Sequence, residues 1–192
     1  MYIRQYKKLV YTFLYWFSCI GIHSFLAKFV YTKGVSVGLL NSPPLYDVVQ
    51  EYFPNLQAYR VIPEILHVIP VFILFGYVVY FWHLACLSEF FFKHGSLMLL
   101  RSVLFSVTLL PDSSQMCHIA NYFGSCFDLL FSGHSTIMFL ATLLLVKHFP
   151  IWNITKNILY SNIAITSCLI VFCRNHYTID VIISLLLTYF TF

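Results

Sequence analysis

The stretch DLLFSGHSTIMFLATLLLVKHF, residues 128–149, decides how the whole chain is read. From Leu129 to Val146 it is apolar enough to cross a bilayer, for which about 20 such residues suffice. Near its start, however, stands His134. An ionisable group at membrane depth is costly, and where one occurs it faces the bundle interior or a water-filled cavity. The segment therefore announces a membrane helix and, at its N-terminal end, a polar site.

The rest of the chain agrees with a membrane setting. Of its 192 residues 60% are hydrophobic and 9% charged, whereas a soluble domain carries about 25% charged residues. Further spans are expected over Leu9–Ala27, Ile65–Leu87, Gly95–Leu110 with Arg101 inside it, Ile158–Cys173, and from about Arg174 to Phe192. With the segment quoted above they make an all-α polytopic bundle of about six transmembrane helices, a single integral membrane domain over residues 1–192. The first span is longer than a signal-peptide core and no A-x-A-like site follows, so it reads as a signal anchor. Arg4, Lys7 and Lys8 precede it, which places the N-terminus in the cytosol by the positive-inside rule. Both termini are then cytosolic, and the loop from Pro111 to Cys126, which has no Lys or Arg, lies outside. The net charge of +4 reads as topology and attraction to anionic lipid, not nucleic-acid binding.

Cys19, Cys86, Cys168 and Cys173 fall in apolar spans, where a thiol behaves as a small hydrophobe. Cys117 and Cys126 lie in the expected outer loop, an oxidising compartment, and a disulfide between them is expected. The stretch 34–60, rich in Gly and Pro, reads as a loop with a short surface helix.

A second polar group interrupts the last apolar run: RNHYTIDVIIS, residues 174–184. His176 and Asp180 stand four apart, about one helical turn, so their side chains are expected to meet on one helix face. A carboxylate there holds an imidazole N–H, fixes its tautomer and leaves the other nitrogen free to react. His134 and His176 both fall at the N-terminal end of their helices, near the same outer face, so one site holds both. His23, His67, His83 and His148 read as packing or helix–helix hydrogen bonds, His94 and His118 as loop residues, and Tyr177 as interfacial aromatic packing.

FSGHS followed some forty residues later by HYTID resembles the sphingomyelin synthase-like branch of the type 2 phosphatidic acid phosphatase (PAP2) superfamily. PPLYD, residues 43–47, is similar to the family's Pro-Leu-Pro-Asp motif, with Glu64 following. RSVLFSVTLLPDSSQMC, residues 101–117, is similar to its third-helix segment, and CFDLLFSGH departs from it by Phe127 where glycine is usual. The resemblance covers residues 40–192 as a catalytic core. It implies a metal-independent, cofactor-free phosphoryl-transfer site opening to the exoplasmic, lumenal or periplasmic side. His176 takes the place of the nucleophile that becomes a phosphohistidine, Asp180 orients it, and His134 protonates the leaving oxygen and then activates the acceptor. Ser132 and Gly133 offer backbone N–H groups to the phosphate. Arg101 reads as a phosphate contact or as one half of an ion pair across the bundle, Arg174 as a substrate contact or interfacial anchor, and Asp128 and Glu64 as acceptor-positioning carboxylates or solvated charges.

The implied partners are membrane lipids: a phospholipid donor, with ceramide or diacylglycerol as acceptor. With water as acceptor the same site is a lipid phosphatase or phosphodiesterase. A non-catalytic membrane scaffold or a histidine-based metal or haem protein is the reading from a different class. A homo-oligomer is compatible with the chain.

Overall fold

The computed structural model describes residues 2–114 and 126–192, and its described residues contain helices and no strand. In chain order the α-helices are α1 (Tyr2–Ser36), α2 (Val48–Tyr52), α3 (Val61–Leu66), α4 (Ile69–Phe81), α5 (Leu84–Val107), α6 (Gly133–His148), α7 (Asn153–Phe172) and α8 (Thr178–Thr191). Four segments are long and apolar enough to cross a membrane: Ile3–Ser36, Gln57–Phe81, Leu84–Val107 and Asn153–Phe172. With the shorter α6 and α8 they form the six-membered bundle expected from the sequence, and the chain is an integral membrane protein.

The helix boundaries differ from those expected in one informative place. The apolar run 65–87 is not one helix: α4 stops at Phe81, Trp82 takes a left-handed conformation with φ 52, and α5 begins at Leu84, well before Gly95. His83 caps the new helix, its Nδ1 accepting the Cys86 amide N–H at 3.1 Å. Hydropathy runs unbroken through this corner, so apolar patterning cannot see it. As a result His94, expected in a loop, is buried inside α5 and accepts the Trp16 indole N–H at 2.8 Å.

Helix α6 is the centre of the bundle, touching α4, α5, α7 and α8. It buries Ser135, Thr136, Met138, Leu140, Ala141, Thr142, Leu144 and Leu145. Helix α1 lies along α5 and runs parallel to it, since Tyr15 pairs with Ser96 and His23 with Ser102. The chain otherwise alternates in direction. Glu89 near the start of α5 meets Lys147 and His148 at the end of α6, and Lys93 donates to the carbonyls of Thr191 and Phe192 at the end of α8. That end of the bundle therefore collects lysines, while the starts of α6 and α8, with His134 and His176, share the other.

Phe127 has a partner on α1. Its ring is fully buried and stacks on Tyr31, with centroids 6.0 Å apart. The ring occupies the space over Gly34, where an added Cβ would come within 2.2 Å of it. Gly34→Ala is expected to cost about 1–3 kcal/mol by overpacking, read as thermal unfolding in detergent. In a Phe127→Ala background the same substitution should cost almost nothing, and an unchanged cost there would mean that the two residues are not coupled.

Candidate active site

The last helix starts later than the His176/Asp180 spacing suggests. Tyr177 is the N-cap and α8 begins at Thr178, so His176 lies just outside the helix and Asp180 is its third residue. The two side chains meet by Asp180 reaching back over the helix start, not across one helix face. Asp180 Oδ2 accepts the Tyr177 amide N–H at 3.1 Å and lies 3.2 Å from His176 Nδ1. Its Oδ1 accepts the Leu130 amide at 3.0 Å. Asp180 is completely buried, and with a buried carboxylate among these donors, His176 carries its proton on Nδ1. No protein group among the described residues bonds its Nε2.

The loop before α6 is tied to the same carboxylate. Leu130 sits at φ 80, a conformation that costs a non-glycine residue free energy and persists only where its surroundings hold it. Asp180 Oδ1 does so through the Leu130 amide, and the Asp180 carbonyl accepts the Ser132 amide at 3.3 Å. Ser132 is the N-cap of α6, its hydroxyl accepting the Ser135 amide. The amides of Gly133 and His134 then remain in the first turn with no protein acceptor among the described residues, at the positive end of a helix dipole.

His134 is held from a different direction. Its Nε2 lies 2.9 Å from Glu64 Oε2, and its ring meets the His67 ring edge-on with centroids 4.5 Å apart. Glu64 and His67 belong to the α3 end of the Gln57–Phe81 span, so this span delivers a carboxylate and a third imidazole to the site. The His134 and His176 ring centroids are 6.0 Å apart. His134 Nδ1 is buried and has no hydrogen-bond partner among the described residues, an uncommon state for a buried polar atom. His67, expected as packing, is thus part of the cluster. Its i,i+3 spacing from Glu64 is the sequence signal that could have found it.

Arg101 and Asp128 are placed against each other. Arg101 Nη2 donates to Asp128 Oδ2 at 2.6 Å and to its carbonyl at 3.2 Å, Nε to the Phe131 carbonyl at 2.9 Å, and Nη1 contacts His23 Nε2 at 3.0 Å. Arginine only donates, so His23 accepts on Nε2 and carries its proton on Nδ1, toward Ser102 Oγ at 3.0 Å. Both members of the pair are buried. Arg101 therefore pins the 128–131 loop that leads into α6, and lies against Gly133 as well.

Arg174 terminates α7 in a left-handed conformation, φ 61. Its guanidinium donates to the Gln50 carbonyl, and it lines a cavity of about 380 Å³ with Asp47, Gln50, Glu51 and Ser113. Neither His134 nor His176 lines this cavity. It lies behind the His176 backbone, whose carbonyl accepts the Gln50 side chain at 3.0 Å.

The PPLYD segment acts at the start of α8. Asp47 Oδ1 caps α2 through the Val49 and Gln50 amides, and the same carboxylate accepts the Thr178 amide at 2.7 Å and hydroxyl at 2.9 Å. Tyr177 is buried here, not interfacial. Its hydroxyl accepts the Leu45 amide at 2.9 Å and donates to the Pro111 carbonyl at 3.0 Å. Burial works to raise the Asp47 carboxyl, but the hydrogen bonds from Thr178, Gln50 and Val49 outweigh it and hold the group below its ordinary value. A depressed carboxyl contributes stability above its unfolded value, near 3.8, and loses it as pH falls through the folded value. Asp47→Ala should accordingly cost about 1–3 kcal/mol at neutral pH. Thermal unfolding at pH 7 and pH 3 should show the gap between variant and parent narrowing in acid.

The expected Cys117–Cys126 bridge involves Cys117, which with His118 lies outside the described residues. Cys126 is not among the free thiols, Cys19, Cys86, Cys168 and Cys173.

Residues 125–192 match the family model described as PAP2 superfamily C-terminal. The matched third of the chain takes in α6, α7 and α8 and includes His134, His176 and Asp180. No curated protein matches the chain.

Proposed function

We propose that this protein is a membrane phosphotransferase that moves a phosphate-bearing headgroup from one lipid to another through a phosphohistidine at His176, as a sphingomyelin or inositol-phosphoceramide synthase does. The observation that carries this is a pair of imidazole–carboxylate couples, His176–Asp180 and His134–Glu64, with their rings 6.0 Å apart. One couple supplies a nucleophile, the other a proton carrier. The PAP2 match supports phosphoryl chemistry on lipids, and the spelling of the four motifs supports transfer over hydrolysis.

In the first step the His176 Nε2 lone pair attacks phosphorus while Asp180 holds the Nδ1 proton and stabilises the positive charge that develops. The bond from phosphorus to the donor lipid's oxygen breaks, and that oxygen takes a proton from His134. In the second step the acceptor hydroxyl gives its proton to His134, its oxygen attacks phosphorus, and the P–N bond breaks to restore His176. The unpartnered Nδ1 of His134 is the nitrogen that addresses these oxygens, with Nε2 on Glu64. The Gly133 and His134 amides stabilise the phosphoryl oxygens as charge builds. Arg174 fixes the turn before His176 through the Gln50 carbonyl, and Arg101, Asp128 and Ser132 act by fixing the loop before α6. The site faces the exoplasmic, lumenal or periplasmic side, because the lysine-rich end is the cytosolic one by the positive-inside rule.

Glu64→Gln is expected to lower kcat by about 10²-fold, within the range of general acid–base contributions, and to alter the pH–rate profile, with KM little changed. A change confined to KM would instead make Glu64 a binding residue. The substrate class is tested by incubating purified protein with labelled phosphatidylcholine, phosphatidylethanolamine and phosphatidylinositol, with and without ceramide or diacylglycerol, and identifying each product. The expected result is a new phospho-headgroup lipid that appears only with a lipid acceptor. Release of a water-soluble phosphate ester alone would make the protein a hydrolase, and no turnover of any donor would favour the scaffold.

A further inference from the structure

A second group of ionisable side chains lies at the lysine-rich end of the bundle and takes no part in the chemistry above. At the α4–α5 corner His83 caps α5 and Cys86 follows three residues later. This corner packs against the last turn of α6, bringing the His148 ring within 5.0 Å of the His83 ring, centroid to centroid. One nitrogen of each ring and the Cys86 sulfur all lie within 4.8 Å of one another. Cys86 is fully buried.

Two features distinguish this group from histidines packed at a helix end. The first is the position of Glu89. Its Oε2 lies 2.8 Å from His148 Nε2, while its Oε1 is held by Lys147 at 2.6 Å. A carboxylate on the far nitrogen is the arrangement that fixes tautomer and ring orientation in a metal-bound histidine, and it leaves Nδ1 as the donor. The second is the state of His83 Nδ1. The Cys86 amide that donates to it also donates to the His83 carbonyl at 3.1 Å, so withdrawing Nδ1 leaves that amide bonded.

We propose that His83, Cys86 and His148 bind a thiophilic divalent ion of the zinc class, which clips the α4–α5 corner to the end of α6. Two imidazole nitrogens and a thiolate suit zinc and not magnesium or calcium, which take oxygen donors. Ligands about 2.0–2.3 Å from a tetrahedral zinc stand roughly 3.3–3.8 Å apart, so side-chain rotations of about an ångström close the site, with water as fourth ligand. Binding deprotonates the Cys86 thiol, releases that proton to solvent, and takes both imidazoles in their neutral form. The clip is remote from His176, and transfer does not pass through it.

The test is titration of the full chain in detergent with Co²⁺, followed by absorption. One equivalent should produce a thiolate-to-cobalt charge-transfer band and tetrahedral visible bands, both displaced by one equivalent of Zn²⁺. Cys86→Ser should lose the charge-transfer band, and His148→Gln should lose or strongly weaken it. His67→Ala, which breaks up the Glu64–His67–His134 group, should keep it, because that group has no sulfur to give such a band. If Cys86→Ser fails to fold, His148→Gln decides the matter. Absence of a thiolate band in the parent protein, or a band of full intensity in His148→Gln or in folded Cys86→Ser, would overturn the proposal.

Discussion

His176→Ala is expected to reduce headgroup turnover by about 10⁴- to 10⁶-fold, the scale seen when a covalent nucleophile is removed, while leaving the fold nearly intact. No neighbour among the described residues replaces it: His134 carries the proton in the same step, and the Glu64 and Asp180 carboxylates are bound by N–H donors. Stability should survive because Asp180 keeps the Leu130 and Tyr177 amides when His176 is gone. Turnover of the labelled donor, with thermal unfolding in parallel, separates the two effects. A large fall in the unfolding temperature would show that the His176–Asp180 couple is mainly structural.

Arg101→Met is expected to have the largest effect on stability, about 3–5 kcal/mol, the cost of leaving one partner of a buried ion pair uncompensated. It would strand Asp128 in the bundle interior and remove the donors to the Asp128 and Phe131 carbonyls and to His23. Adding Asp128→Asn to Arg101→Met should restore part of the loss, since it removes the stranded charge. Thermal unfolding of the single and double variants makes the comparison. If Arg101 served mainly to hold a lipid phosphate, Arg101→Met would keep its unfolding temperature and raise KM instead.

The helical bundle was legible because a chain of this length with only 9% charged residues has only the bilayer as a solvent. His134, His176 and Asp180 were legible because each interrupts an apolar run. What escaped the sequence was long-range or conformational. Glu64 meets His134, and Asp47 meets Thr178, across stretches of chain whose packing no local pattern encodes. The corner at Trp82 is equally silent, because a left-handed residue among apolar neighbours leaves hydropathy unchanged. His94 was misplaced as a consequence. The spacing of His176 and Asp180 suggested the right pair by a different geometry, a helix cap reaching backward in place of one turn of helix. Arg101 was left between two roles because sequence distance does not reveal which acidic residue faces it.

The proposed mechanism requires phosphate to rest covalently on His176 between the two half-reactions. Rapid quenching of purified protein with a phosphorus-labelled donor, without acceptor, followed by peptide mapping under alkaline conditions, tests it directly. Acid-labile label is expected on the peptide carrying His176, absent from His176→Ala and discharged when a lipid acceptor is added. Transfer at the parental rate by His176→Ala, or label recovered on another residue, would contradict it.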